Sequence, residues 1–414
     1  MQNSHRQLIT ATTIIIFTLL QFIILCVFGY TPYPDSDGYV LLAKECVRMD
    51  EPYPVASQIN ELPFIWNVGA INLVALSLKL FGSITPLLCV YSLIKGCSVW
   101  LVYKIACILF KEKAAMITLI LYVAYPANYG ESTSALSELP FAFFILLGIF
   151  AALKQKNIIG GTLMAFANWI RPMGIVFLLP TLFFQCISKR KKASINTLCG
   201  YVLAIVFISS LSCLRTGHCI YQAKTGWMAL LQYSVDNSPE NDDYYTKADE
   251  YNAIQKDSVW QKRTIKWIIN NPKEYIRQMP KKLVKTYISD NVNFCAFLPN
   301  KNESEYMYGE IDMRTLAHSF PNYNATQWLT ICNLIYYYTL LAVFMAGIIM
   351  AIKRGRLAEF TIPIGTVITG TAILLLAGHG EARFHIPFMP FIIMVAAVFL
   401  SSKENSDKLS TPRP

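Results

Sequence analysis

Apolar residues in this chain come in long, almost unbroken runs, not in the three-and-four spacing of a helix that keeps one wet face. The first run, Leu8 to Tyr30, exceeds the roughly 20 residues that a helix needs to cross a bilayer at about 1.5 Å per residue. Drawn at that length, the runs predict about ten spans: 8–29, 85–110, 114–128, 139–153, 157–171, 173–188, 194–214, 328–352, 358–378 and 384–402. The predicted fold is an all-α polytopic membrane protein, with juxtamembrane helices and a small extracytoplasmic segment. The first run ends in Tyr30-Thr31-Pro32-Tyr33-Pro34 with no small-x-small cleavage site, so it reads as a retained span and not as a signal peptide.

Composition agrees with the pattern. Of 414 residues, 54% are hydrophobic and 15% charged, more apolar than a soluble core of this size requires. The formal net charge of +10 raises nucleic acid as a partner, but the basic residues sit in short runs between apolar segments and not along one face. They read as topology signals, and no nucleic acid partner is expected. The 11 cysteines show neither a CxxC pair nor His/Cys ligand spacing, which speaks against a zinc site. Cys219 and Cys295, both in outer segments of this drawing, form a candidate disulfide.

Lysine and arginine concentrate in cytoplasmic loops. Lys111-Glu112-Lys113, Lys154-Gln155-Lys156, Lys189 to Lys192 and Lys353 to Arg356 all fall on one side of the drawing, together with both termini. That side is expected to be cytoplasmic. The opposite side receives residues 30–84 and a polar segment, 215–327, in which 14 Lys+Arg nearly balance 13 Asp+Glu. Residues 62–82 are apolar enough to span, yet a crossing there would invert the Lys111 loop, so they are expected to lie on the outer surface after a shorter helix from Tyr39 to Met49. The expected organisation is an N-terminal transmembrane module (1–214) carrying a catalytic first outer loop (30–84), an extracytoplasmic segment (215–327) with helices over 257–270 and 272–289, C-terminal transmembrane helices (328–402) and a disordered cytoplasmic tail (403–414).

Polar residues at the outer mouths of spans are the candidates for chemistry, because a carboxylate costs several kcal/mol within hydrocarbon and little at its edge. Asp35 and Asp37 follow the first span in Tyr33-Pro34-Asp35-Ser36-Asp37-Gly38-Tyr39, which reads as a turn. If that segment is extended, both acids point one way and either could act as a base, or the pair could hold a divalent cation, which is not favoured. Glu138 opens a later span, Arg171-Pro172 interrupts an apolar run with no acid beside it, and His379-Gly380-Glu381-Ala382-Arg383-Phe384-His385 begins the last span. The basic group Lys281-Lys282-Lys285 reads as a lipid-phosphate contact or a solvated face, and Asn324-Ala325-Thr326 is a glycosylation-type sequon.

In their order these features resemble the GT-C superfamily of membrane glycosyltransferases, the group that includes lipid A aminoarabinose transferases and protein O-mannosyltransferases, glycosyltransferase family 39. The likeness rests on Asp35 to Tyr39 past the first span, Leu80-Phe81-Gly82, Tyr125-Pro126 with Ser137-Glu138, Asn168 to Pro172, Asn271-Pro272 before a basic helix, and Glu381 to Pro387. The resemblance implies a GT-C-like bundle in the bacterial cytoplasmic membrane that transfers a sugar, with inversion, from a polyprenyl-phosphate donor to a glycan, lipid or protein acceptor on the extracytoplasmic face. It assigns Asp35 as general base, with Asp37 and Glu138 as further catalytic candidates. Arg383, Arg171 and His385 are the candidates to bind the donor phosphate, and Tyr39, Glu381 and His379 to contact substrate. No metal or other cofactor is expected. A lipid-linked polysaccharide polymerase or ligase is the alternative enzyme, and a transporter or flippase the alternative outside catalysis.

Overall fold

The computed structural model describes residues 2–53, 67–224, 226–234, 253–298, 311–318, 321, 323–378 and 380–407. Among these, every regular element is helical: α1 (Gln2–Phe28), α2 (Pro34–Met49), α3 (Val68–Phe81), α4 (Thr85–Leu109), α5 (Glu112–Ala124), α6 (Glu138–Leu153), α7 (Asn157–Ile170), α8 (Gly174–Ile187) and α9 (Lys191–Thr216). There follow α10 (Gly226–Ser234), α11 (Ala253–Asn270), α12 (Pro272–Tyr287), α13 (Met313–Ala317), α14 (Ala325–Lys353), α15 (Thr361–Ala377) and α16 (Met389–Asp407). The helices expected over 257–270 and 272–289 are α11 and α12.

Six helical stretches among the described residues are long and apolar enough to cross a membrane: His5–Phe28, Thr85–Leu109, Lys191–Thr216, Ala325–Lys353, Leu357–Ala377 and Ala382–Ser402. They coincide with six of the roughly ten spans drawn from sequence, and the bent pair Pro126–Thr133 with Glu138–Leu153 makes a seventh if it is one span. The runs 114–128, 139–153, 157–171 and 173–188 become α5 to α8, of 13, 16, 14 and 14 residues, each shorter than the ~30 Å hydrocarbon layer. A bend of 113° separates α6 from the turns at Pro126–Thr133, which keeps 126–153 from forming one straight span.

Close helix approaches hold the short members in place. A Cβ on Gly161 of α7 would stand 1.9 Å from the Thr197 carbonyl oxygen of α9, and one on Gly200 of α9 would stand 2.1 Å from that of Ile158. Only the missing side chains let these backbones touch, a packing mode in which small residues replace the hydrophobic drive that lipid removes. At the centre, α16 buries Phe391 to Ala397 completely against α14, α15 and α5. In α4, Lys95 is buried but paired with Glu131, and it donates to Asn128 Oδ1 at 3.0 Å.

The two ends of the bundle differ. At one, Arg6 of α1 meets Glu112 of α5 at 3.0 Å, Phe110 stacks at 5.1 Å on Phe360, and Gln185 donates to Asn157 Oδ1 at 3.0 Å, which groups the basic loops together. At the other converge the starts of α2, α6, α8 and the last span with the ends of α7 and α15. There α12 lies across the end of α15, with Tyr275 donating to the Leu376 carbonyl and Lys282 to that of Gly378. The sequon at Asn324 is a helix cap, since its side chain accepts from the Gln327 N–H at 2.8 Å while Gln327 returns a bond to the Asn324 N–H at 2.9 Å.

The candidate disulfide does not form. Both cysteines are free, Cys295 being buried and Cys219 exposed.

Candidate active site

The residues expected to form a turn at 34–38 begin a helix instead. Pro34 occupies the first helical position, where its fixed φ suits the helix and its missing N–H costs nothing, and Ser36 Oγ accepts from the Tyr33 N–H at 2.8 Å. Asp35 and Asp37 then fall in the first turn, where carboxylates complement the helix dipole. Two positions apart on a helix, their side chains diverge by roughly 200°. Asp37 is exposed and accepts from the Tyr30 hydroxyl at 2.9 Å. Asp35 turns into the bundle. The pair therefore does not make the two-carboxylate cation site that an extended segment would allow.

Asp35 meets Arg383. Its Oδ2 lies 2.7 Å from Arg383 Nη1, whose side chain is 15% exposed. Glu381 pairs with Arg383 Nε, and Glu138 Oε1 stands 3.8 Å from Nη1. Glu138 Oε1 is also 2.8 Å from Arg171 Nη1, which donates to Ser137 Oγ at 3.0 Å. Arg171, with no acid near it in sequence, is thus neutralised by one brought from α6. Three carboxylates and two guanidiniums alternate, and Phe384 lies within cation–π range of both arginines, at 5.2 Å and 5.8 Å. Such a cluster tolerates burial because every charge has an opposite neighbour; deleting Glu138 leaves the buried Arg171 guanidinium unpaired, at a cost of about 3–5 kcal/mol.

Tyr39, one helical turn past Asp35, accepts at 2.8 Å from Asn67 Nδ2, which also reaches Ser137 Oγ at 3.4 Å. Burial first, and then the carboxylates of Asp35 and Glu138, hold the Tyr39 phenol well above its usual range.

A cavity of about 650 Å³ opens beside the cluster, with Asp35, Tyr39, Asn67, Arg171, Glu381 and Arg383 on one wall. Across it stand residues from 219–230, Asp257 of α11 and the end of α15. Of the carboxylates in the cluster, Asp35 is the most open, at 32% side-chain exposure against 3% for Glu138 and 12% for Glu381. Glu138 is not on the cavity wall; it holds both arginines from behind.

The structure therefore gathers Asp35, Glu138, Arg171, Arg383, Glu381 and Tyr39, and separates Asp37 and His385 from them. His385 is fully buried among other groups: its Nδ1 is 2.6 Å from the Thr286 carbonyl, its Nε2 is 3.5 Å from Asp290, and its ring stacks between Tyr287 and Tyr337. Being walled off from the cavity, it is not placed to bind a phosphate there. His379 lies outside the described residues. The sequence reading missed Asn67, Lys224 and Asp257 as site residues, since only the fold brings these polar groups to the cavity.

No family model matches the chain, and no curated protein sequence matches it. Among solved structures it is similar to an oligosaccharyltransferase of Archaeoglobus fulgidus in the apo form, with a TM-score of 0.51 and 13% identity over 98% of this chain and 52% of that one. It is also similar to the oligosaccharyltransferase AglB of the same archaeon in complex with an inhibitory peptide and a dolichol-phosphate, with a TM-score of 0.51 and 12% identity over 99% and 53%. The chain spans about half the length of these proteins. At such identities the shared property is the fold alone.

Proposed function

We propose that this chain is a membrane glycosyltransferase that moves a sugar from a polyprenyl-phosphate donor to an acceptor hydroxyl or amine on the extracytoplasmic face, with inversion at the anomeric carbon. The observation that carries the reading is the Asp35–Arg383 ion pair on a cavity wall at the mouth of a membrane bundle. The acceptor oxygen or nitrogen forms its bond to the anomeric carbon as the bond from that carbon to the phosphate oxygen breaks. The acceptor proton passes to the Asp35 carboxylate, which the Arg383 contact holds in place, and general-base catalysis of this kind contributes about a hundredfold or more. The leaving phosphate takes the bonding electrons, and fixed cations near it stabilise the growing charge where water is scarce.

The arrangement of basic loops at the far end of the bundle supports an extracytoplasmic site with both termini cytoplasmic. The dolichol-phosphate bound by the similar archaeal protein supports a lipid-phosphate donor. The test is the purified full chain in proteoliposomes with a radiolabelled polyprenyl-phosphate sugar. Donor consumption that requires an acceptor supports the reading, and relocation of intact donor across the bilayer would replace it with a flippase.

A further inference from the structure

The cavity carries a third cation that the catalytic cluster does not use. Arg171 and Arg383 are both turned onto carboxylates, and the guanidinium geometry that fits two carboxylate oxygens is rigid. Lys224 also lines the cavity, in the segment facing that wall. Its Nζ is 3.2 Å from Asp257 Oδ2, and its side chain is 35% exposed, more open than either arginine. An ammonium on a flexible stem has three donors and can exchange one anion for another without rebuilding its surroundings.

The surroundings of Lys224 are those of an amphiphile. In sequence it lies between Ile220 and Trp227, which with Leu230 line the cavity together with Ile373, Leu374 and Ala377 of α15. The end of α15 belongs to a stretch long and apolar enough to cross a membrane, so this flank of the cavity is apolar where the cluster side is charged. A ligand with an anionic head and an apolar tail can then place the tail between α10 and the end of α15 while its head stays beside Lys224.

We infer that Lys224 grips the phosphate of the lipid donor, giving up Asp257 as the donor enters, and that the tail lies against the apolar residues of α10 and α15 that line the cavity. The inference rests on the glycosyltransferase reading above and assigns its donor-phosphate contact to a residue outside the arginine cluster. Asp257 holds the lysine in place until the anion arrives.

The experiment uses the full chain in nanodiscs and undecaprenyl phosphate, without sugar, as the probe, with binding read by native mass spectrometry and by the shift in melting temperature. Lys224→Gln is expected to weaken binding about tenfold, the scale of one charge-assisted hydrogen bond. It should also raise the donor KM while leaving the acceptor KM unchanged. Lys224→Arg should restore most of the affinity, and Asp257→Asn, which removes the competing anion, should bind as tightly as wild type or more tightly. Wild-type affinity in Lys224→Gln overturns the inference and leaves the enzyme reading standing. An equal loss in Asp257→Asn and Lys224→Gln would make the pair structural and also overturn it. A wild-type chain that neither binds the probe nor turns over donor overturns both readings.

Discussion

Arg383 Nη1 stands 2.7 Å from Asp35 Oδ2, joining the first turn of α2 to the mouth of the last span. The contact fixes two things at once. It positions the most accessible carboxylate of the cluster on the cavity wall, and it anchors a buried guanidinium that would otherwise be costly.

Asp37 points away from the cavity and hydrogen-bonds to Tyr30, so Asp37→Asn is expected to keep turnover within about threefold of wild type. Initial-rate measurements on the purified variant check this, and a loss as deep as that expected for Asp35→Asn would mean that α2 turns its other face to the substrate.

Glu138 and Arg171 neutralise one another in a buried setting at 2.8 Å. Glu138→Gln alone should lower stability by about 3–5 kcal/mol by leaving the Arg171 guanidinium without its carboxylate. The double variant Glu138→Gln with Arg171→Met should lose less than the sum of the two single variants, a coupling that a double-mutant cycle in thermal or denaturant unfolding measures.

Much of the architecture was legible because lipid enforces simple rules: apolar runs mark spans, lysine and arginine mark one side, and charge near a span end stands out. Asp35, Glu138, Arg171 and Arg383 were found in this way. What failed was direction. Pro34-Asp35-Ser36-Asp37 is equally a turn and a helix start, and only the helix separates the two acids. His385 lies two residues from Arg383 in the tight turn Ala382–Phe388, yet it faces Thr286 and Asp290 and not the cavity. Lys95 lies within the span drawn over 85–110, and only the fold brings it Glu131 from a separate segment.

Lys282 of α12 lies against the end of α15, and burial pushes its amine down to about 8 from its ordinary value. The folded chain therefore binds fewer protons than the unfolded chain between pH 8 and the usual lysine range near 10.5. Within that window wild-type stability should rise with pH through this group, and below it the group opposes folding. Melting temperatures taken from pH 8 to pH 10 should climb less steeply for Lys282→Met than for wild type.

Gly161 leaves no room for a Cβ, which would stand 1.9 Å from the Thr197 carbonyl oxygen. Gly161→Ala should force α7 from α9 and lower stability by about 1–3 kcal/mol, the range of overpacking, whereas Gly226→Ala, with nothing within 4 Å, should be close to neutral. Paired melting curves in one detergent compare them.

The central claim is that Asp35 takes the acceptor proton, and the most direct measurement is single-turnover transfer from a radiolabelled polyprenyl-phosphate sugar by wild type and Asp35→Asn with donor binding measured in parallel. The account predicts a rate lower by at least about a hundredfold with donor affinity nearly unchanged. Wild-type turnover by Asp35→Asn would contradict it.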